Sequence, residues 1–453
     1  MGGWYPIMSF GVRKSRVIFG YLKPANAVRA RVRSNIAMKS LVPANVLNVA
    51  HIRADFPILE REVRPGVQVV YLDSTATSQK PWQVIEAMDR FYRESNANIH
   101  RGIHLLAEES TAMYEAARVK IAQLINAPSA RQVIFTRNTT EAINLVAYSW
   151  GRANLHAGDV VILTEMEHHS NLVPWYMLAA ELELRLEFIP VTPQGMLDLE
   201  KYRQLLKLSP RLVAFTHMSN VLGTVNPAAE IIHLAHLTEA IVVVDGAQSV
   251  PHFPVDVQAL DLDFLAFSGH KMCGPTGIGV LYGRKSLLDA MPPFLGGGDM
   301  IKKVSLRSFT PNELPHKFEA GTPAIAEAIG FGAAVDYLQG IGLESIAAHE
   351  QEIISYALER LEEIPGEMVY GPTAEYKGGV ASFTLAGVHA HDVAQILDAD
   401  GVAVRAGHHC AMPLHEKFQL NATTRASFYL YNTVEEVDKL VHAIYRVKKI
   451  FRT

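Results

Sequence analysis

Lys271 stands where an ammonium group is poorly accommodated. The apolar run Phe264–Phe267 predicts a short buried strand, which Ser268, Gly269 and His270 follow, with glycines at 274, 277 and 279. Burial at a strand end lowers a lysine pKa and frees the amine to attack a carbonyl. A surface lysine in a loop is the plain alternative. Cys410 is the second reactive candidate. It follows His408 and His409, and Cys273 is the only other cysteine. A lone thiol beside basic groups is a candidate nucleophile; a buried packing cysteine is the plain alternative.

The elements that must position these groups are short apolar strands alternating with helices. Runs at Val133–Thr136, Val160–Leu163, Leu212–Phe215 and Ile241–Val244 precede the Lys271 strand. They are apolar without alternation, which predicts a mostly parallel sheet covered by helices on both faces. Ligands of such sheets sit beyond the C-terminal strand ends. Thr139, Thr140, His168, Asn220, Asp245, Gln248, Ser268, His270 and Lys271 all fall just past predicted strand ends. Core packing explains any one of them, but not readily all at one edge. Thr139 and Thr140 open a helix after a strand, which suits an anion such as phosphate; an ordinary N-cap is the simpler reading. His168 and His169 are adjacent, so they do not share a helix face as paired ligands would. A loop metal site remains open there, and a stacking or acid–base histidine is preferred.

Asp245 and Lys271, 26 positions apart, are spaced for one crossover between neighbouring strands. A carboxylate and a lysine so placed suit pyridoxal 5'-phosphate, whose aldehyde joins a lysine and whose ring nitrogen wants an acidic partner. The Thr139/Thr140 helix start, with Ser268 and His270, would cradle the phosphate. A dinucleotide site is disfavoured, because no G-x-G-x-x-G follows the first strand.

Composition narrows the class. The chain has 453 residues, 49% hydrophobic and 19% charged, with net charge −4. Nine basic and no acidic residues fall in 1–54, leaving 33 basic against 46 acidic in the rest. An acidic body argues against nucleic acid as a partner. No apolar run approaches the ~18 residues of a membrane span. Two cysteines argue against a disulfide framework and for a reducing compartment, so a cytoplasmic location is expected. Residues 1–50 read as a basic extension: disordered, organelle-targeting, or an over-long start with Met38 as the beginning. Residues 51–66 are expected to form an arm on a smaller domain, 67–320 a large domain, and 321–453 a small C-terminal α/β domain. The last helix is expected to open at Thr433 with Glu436 closing a capping box.

The motifs together resemble the class V aminotransferase family of fold-type I pyridoxal phosphate enzymes, and within it the SufS-type cysteine desulfurases. They are LDSTATSQKP (72–81), NIHRG (98–102), TEMEHHSNLVPW (164–175), THMSNVLGT (216–224), VDGAQS (244–249), FSGHKMCGPTGIGVLYG (267–283), FEAGTP (318–323) and RAGHHCAMP (405–413). The resemblance spans Asp55 to the C-terminus. Thr75 stands where the family often has alanine, and Cys273 where it often has leucine or tyrosine.

The resemblance implies roles. Lys271 is the cofactor lysine and proton base, Asp245 the partner of the ring nitrogen, Gln248 of the ring hydroxyl. His168 stacks on the ring and shuttles protons. Thr139, Thr140, Ser268 and His270 hold the phosphate, with Thr322 reaching across from a second subunit. Asn220, Arg405 and Arg425 bind substrate, and His100 and Arg101 line the entrance. The Cys410 thiolate, stabilised by Arg405, His408 and His409, takes sulfur from L-cysteine as a persulfide and leaves alanine. No metal is implied. A homodimer serving iron–sulfur cluster assembly is expected, handing sulfur to an acceptor of the SufE or SufU kind, with selenocysteine as another substrate. Rivals are another class V pyridoxal enzyme, an aminotransferase or lyase, and a non-catalytic sulfur-carrier or assembly scaffold.

Overall fold

The structure is a computed structural model and describes residues 47–452. The readings made for residues 1–46 therefore lie outside the described residues.

A seven-stranded sheet carries the expected edge. Its strands are β1 Val133–Thr136, β2 Val160–Thr164, β3 Arg185–Ile189, β4 Leu212–Thr216, β5 Ile241–Asp245, β6 Phe264–Ser268 and β7 Gly279–Gly283, in spatial order β1-β7-β6-β5-β4-β2-β3. β7 runs antiparallel to both of its neighbours, and the remaining pairs are parallel. All strands except β7 therefore end at one edge. Successive residues feed opposite faces. Val213, Phe215, Val242, Val244, Leu265 and Phe267 pack into one core, while Leu212, Ala214, Val243, Phe264 and Ala266 pack into the other. This explains why the strands read as continuous apolar runs.

The helices that matter for the site are α1 Trp82–Arg90, α2 Leu105–Leu124, α3 Thr139–Leu145, α4 Val173–Leu182, α5 Ile325–Ile341, α6 Leu343–Glu362, α7 Ala390–Ala399, α8 Met412–Lys417 and α9 Val434–Phe451. A second sheet holds β8 Glu367–Tyr370, β9 Val380–Leu385, β11 Thr423–Ser427 and β10 Arg405–Gly407 in that spatial order, all antiparallel. Its third core is built from α6, α7, α9 and the sheet, with Phe383, Leu397, Leu440 and Ile444 at its centre. The capping box of α9 forms as expected, with Thr433 and Glu436 satisfying each other's backbone N–H groups.

The cores do not divide at residue 320. α5 packs its Ile325, Phe331, Val335 and Leu338 into the first core, beside Tyr114, Ala117 and Ile121 of α2. The third core takes up α6 residues only from Ile353 onward. The stretch Val67–Leu72 forms two short strand pieces, Val67–Gln68 and Val70–Tyr71. Val70–Tyr71 pairs in parallel with Val402–Ala403 and buries Val70 in the third core. Apolar burial, not chain order, decides these memberships. The residues before them also reach that region: Arg53 bonds Glu436 and the Tyr431 carbonyl, and Arg64 pairs with Asp398.

Candidate active site

One pocket gathers the strand ends of the large sheet and the ends of β10 and β11. Thr139, Thr140, His168, Asn220, Asp245, Gln248, Ser268, His270, Lys271, Arg405, Cys410 and Arg425 all line it. These residues come from five strand ends and from two strands of the second sheet, so the expected set converges although it spans most of the chain.

At one end the pocket is made of donors. Thr139 N–H and hydroxyl both meet Ser268 Oγ, at 2.8 and 2.6 Å. Thr140 Oγ1 lies 2.7 Å from Ser170 Oγ. Asn138 caps α3 by accepting the Glu141 N–H at 3.0 Å. Neither threonine is the cap, which leaves their hydroxyls to the pocket. A Cβ on Gly279 would come 2.5 Å from the Asn138 Cα. Only glycine lets β7 pass so close to this helix start.

The middle of the pocket holds opposite charges. Asp245 is 4% exposed; its Oδ1 accepts the Ala247 N–H at 2.9 Å. Burial pushes its pKa up, against a lowering from Lys271. Lys271 is pushed down to about 8, first by desolvation, with Asp245 opposing and Arg425 adding to the fall. Gln248 donates Nε2–H to the Thr75 carbonyl at 2.9 Å, while its Oε1 is buried without a partner. His168 Nδ1 accepts the Ser170 N–H at 3.0 Å. Burial, then Lys271, then His169 lower its pKa to about 3, so the ring is neutral with its proton on Nε2.

The peptide that precedes Lys271 is clamped. The His270 carbonyl accepts from Ser78 N, Thr77 Oγ1 and Lys80 Nζ at 3.0, 2.9 and 3.0 Å. This gives part of the 72–81 motif a physical task that its composition alone does not announce.

Arg405 and Arg425 form the far wall. They lie directly opposite each other on β10 and β11. Arg425 donates to the Asn220 carbonyl at 3.0 Å, and its Nε is buried without a partner. Asn220 in turn donates Nδ2–H to the His409 carbonyl at 2.7 Å.

Cys410 is exposed. His409 and Cys410 both take left-handed backbone, φ 51° and 57°. The turn is tied from several sides. The Cys410 carbonyl accepts the His169 N–H at 2.7 Å, and Met412 N–H donates to His169 Nε2 at 3.1 Å. Thr423 Oγ1 lies 2.9 Å from His409 Nε2 and 3.1 Å from His415 Nε2, and His415 Nδ1–H donates to the Ala411 carbonyl at 3.0 Å.

One expectation needs correction: His409 supplies no positive charge to Cys410. Burial, then Arg425, lower its pKa to about 2, and its ring turns to Thr423. The cations that interact with the thiol are Lys271 and Arg425. His100 and Arg101, expected at the entrance, are not among the residues lining this chain's pocket. His100 bonds Glu115 at 3.0 Å and Arg101 pairs with Asp299 at 3.2 Å, so both are drawn to other partners. His100, Glu115 and His316 bring ligand atoms within 4.8 Å of one another, but the Arg118 guanidinium already occupies Glu115. Thr322, expected to act across a subunit interface, lies outside its own chain's pocket, in a second groove with Tyr114, Phe135 and Glu141. The sequence reading missed Asn138, Ser170, Thr75, Ala76, Thr216, Met218 and Ala247 as pocket residues. The 72–81 motif contains two of them, but nothing in the residue types marks which face the pocket.

With this geometry in hand, the likeness to known proteins can be stated. The profile of the aminotransferase class-V family matches residues 70–440. The chain belongs to this family. A probable cysteine desulfurase of Streptomyces coelicolor is 52% identical over 412 residues, covering 90% of this chain and 98% of that protein. A cysteine desulfurase of Escherichia coli is 51% identical over 406 residues, covering 89% and 99%. Among solved structures, the Escherichia coli cysteine desulfurase CsdA in its S-sulfonic acid form superposes with TM-score 0.83 at 43% identity, over 90% of this chain and 100% of that one. The apo cysteine desulfurase of Thermococcus onnurineus gives 0.85 at 42%, with the same coverage.

The cofactor of this class V fold is pyridoxal 5'-phosphate, and the pocket fits it. Asp245 is a buried carboxylate that a ring N–H would satisfy, and the orphaned Gln248 Oε1 can accept from the ring hydroxyl. The Thr139, Thr140 and Ser268 hydroxyls lie at the end where the phosphate would rest.

Proposed function

We propose that the chain is a cysteine desulfurase that turns L-cysteine into L-alanine and keeps the sulfur as a persulfide on Cys410. One observation carries this reading. An exposed thiol on a strained, tightly held turn lines the same pocket as a lysine with a lowered pKa. An aminotransferase or a carbon-side lyase has no use for such a thiol.

Pyridoxal phosphate, when bound, supplies the aldehyde and the electron sink. The protein's own groups do the rest. Arg405 pairs with the substrate carboxylate and fixes which bond faces Cys410. The Cys410 thiolate donates an electron pair to the substrate sulfur. The S–S bond forms, the C–S bond breaks, and its electron pair stays on carbon. Protonation of that carbon completes alanine. Lys271, with its pKa near neutral, moves the proton at the substrate Cα. His168, neutral and carrying its proton on Nε2, is placed to stack on the ring and to pass a proton on.

The protein acts as a homodimer, with Thr322 of the neighbouring subunit completing the phosphate site. A large cofactor-binding domain and a smaller C-terminal domain that bears the Cys410 loop make up the subunit. It works in the cytoplasm; no helix among the described residues is long and apolar enough to cross a membrane. The persulfide passes to an acceptor protein of the SufE or SufU kind for iron–sulfur cluster assembly. Selenocysteine fits the same residues.

The test is to mix purified holoenzyme with L-cysteine and a reductant. Alanine and persulfide should appear in step, and both should stop in Cys410→Ser. Full alanine formation in Cys410→Ser would overturn the reading in favour of another class V enzyme. A protein with no lysine-bound visible absorbance would instead be a non-catalytic carrier.

A further inference from the structure

Asp73 opens the polar loop of the 72–81 motif, and the desulfurase reading gives it no task. Its position is fixed by backbone pairing. Ser427 N–H donates to the Leu72 carbonyl at 2.8 Å, and Asp73 bridges Ser427 in parallel register. This sets the Asp73 side chain beside the end of β11, next to Arg425.

There it meets both arginines at once. Asp73 Oδ2 accepts from Arg405 at 3.1 Å, and Asp73 Oδ1 accepts from Arg425 at 3.1 Å. Arg405 and Arg425 are directly opposite on neighbouring strands, a pairing in which like charges repel. Arg425 is 2% exposed, and among the described residues Asp73 is the carboxylate paired with it. One carboxylate thus serves two guanidinium groups, with one oxygen each. Neutral His168 and His409 add nothing to this corner. Arg405, Arg425 and Asp73 themselves sum to one positive unit, before a Cys410 thiolate beside Arg425 is counted.

We propose that Asp73 is a positioning and specificity residue: it holds the two arginines side by side and leaves charge for one substrate carboxylate only. An amino acid with a neutral side chain, such as cysteine, matches that charge. An amino acid with a second acidic group does not, because its extra anion faces the Asp73 carboxylate. The proposal rests on the reading that Arg405 binds the substrate carboxylate.

The experiment uses L-aspartate and L-asparagine as competitors against L-cysteine turnover by the holoenzyme. The two differ by one charge at nearly constant shape. In Asp73→Asn the corner gains a positive unit. The ratio of their inhibition constants should shift toward aspartate by about tenfold or more, with asparagine moving much less. Asp73→Glu, which keeps the charge, should keep the ratio. A parallel change for both competitors in Asp73→Asn would mean a merely structural role and overturns the proposal. Asp73→Asn should still hold the cofactor, read by its visible absorbance; loss of the cofactor in Asp73→Asn but not in Asp73→Glu overturns the proposal. Arg405→Gln separates the two readings. It should raise the KM for cysteine; an unchanged KM sinks the carboxylate assignment itself, whereas a raised KM with no ratio shift in Asp73→Asn sinks only the role of Asp73.

Discussion

The Ser170 N–H donates to His168 Nδ1 at 3.0 Å, and this one bond decides what the histidine can do. With Nδ1 engaged as an acceptor, the ring proton must sit on Nε2. Burial and the Lys271 amine keep the ring neutral, with a pKa near 3. The pH–rate profile of alanine formation between pH 6 and 9 should therefore show no break from His168. His168→Gln should lower kcat by about 10²-fold or more, the scale of a lost acid–base group, and leave that profile's shape unchanged. An acidic limb that disappears in His168→Gln would contradict the assigned tautomer and charge.

Lys271 gives a prediction about stability in which the sign can be worked out. Its pKa falls from 10.5 to about 8 on folding without cofactor, chiefly by desolvation. Below pH 8 both the folded and unfolded chains hold the proton, so the cost of the buried charge is present in full. Between pH 8 and 10.5 the unfolded chain binds the proton and the folded chain does not, so stability rises with pH. Lys271→Met removes the cost. The cofactor-free variant should be more stable than its parent at pH 7 by about 1–3 kcal/mol, and the gap should close by about pH 10.5. Urea unfolding at stepped pH reads this directly. A gap that stays constant across the range would show that burial does not burden the amine.

Cys273 lies two residues past Lys271 and is the other thiol that an exposed position would let compete for the sulfur. The structure removes it from that role. It is fully buried, its N–H donates to Ser78 Oγ at 2.8 Å, and desolvation pushes its thiol up to about 12. Alkylation of the native protein should label one cysteine per chain, Cys410, by peptide mass spectrometry. Cys273→Ala should keep persulfide formation within about twofold and lose about 1 kcal/mol of stability. Persulfide found on Cys273, or lost with it, would reverse this assignment.

The cofactor half of the site was legible because strand ends leave a sequence signature. Apolar runs mark where β1, β2, β4, β5 and β6 stop, and the polar residues just beyond them converge at one edge by topology alone. The other half was not legible in the same way. Arg405, Arg425 and Cys410 reach the pocket through the second sheet, and nothing local in their stretches tells where that sheet docks. Their placement came from resemblance. The His409 error has a physical root: a histidine beside a cysteine looks like a cation in sequence, and only burial against Thr423 shows it to be neutral. The core membership of α5 has a similar root. α5 is apolar on most of its surface, so its pattern does not say which core it joins, and packing on α2 decides it.

Thr423 tests whether the Cys410 turn is held by the chain of buried groups behind it. His415 Nδ1–H is committed to the Ala411 carbonyl, so its Nε2 accepts the Thr423 hydroxyl proton; the Thr423 oxygen then accepts from His409 Nε2–H. Each donor has one acceptor, and the direction of every bond follows. The adjacent His409 and Cys410 sit in left-handed backbone, which costs on the order of 1–3 kcal/mol each and persists only under constraint. Thr423→Val keeps the shape and removes the hydroxyl, leaving two buried imidazole nitrogens unpaired at about 1–3 kcal/mol. The turn should relax. Alanine formation should fall by about tenfold, while the visible band of the lysine-bound cofactor stays in place, because Asp245, Gln248 and Lys271 are untouched. Thr423→Ser should recover most of the rate. Full turnover in Thr423→Val would show that the ties from His169 and Asn220 hold the cysteine turn without this chain.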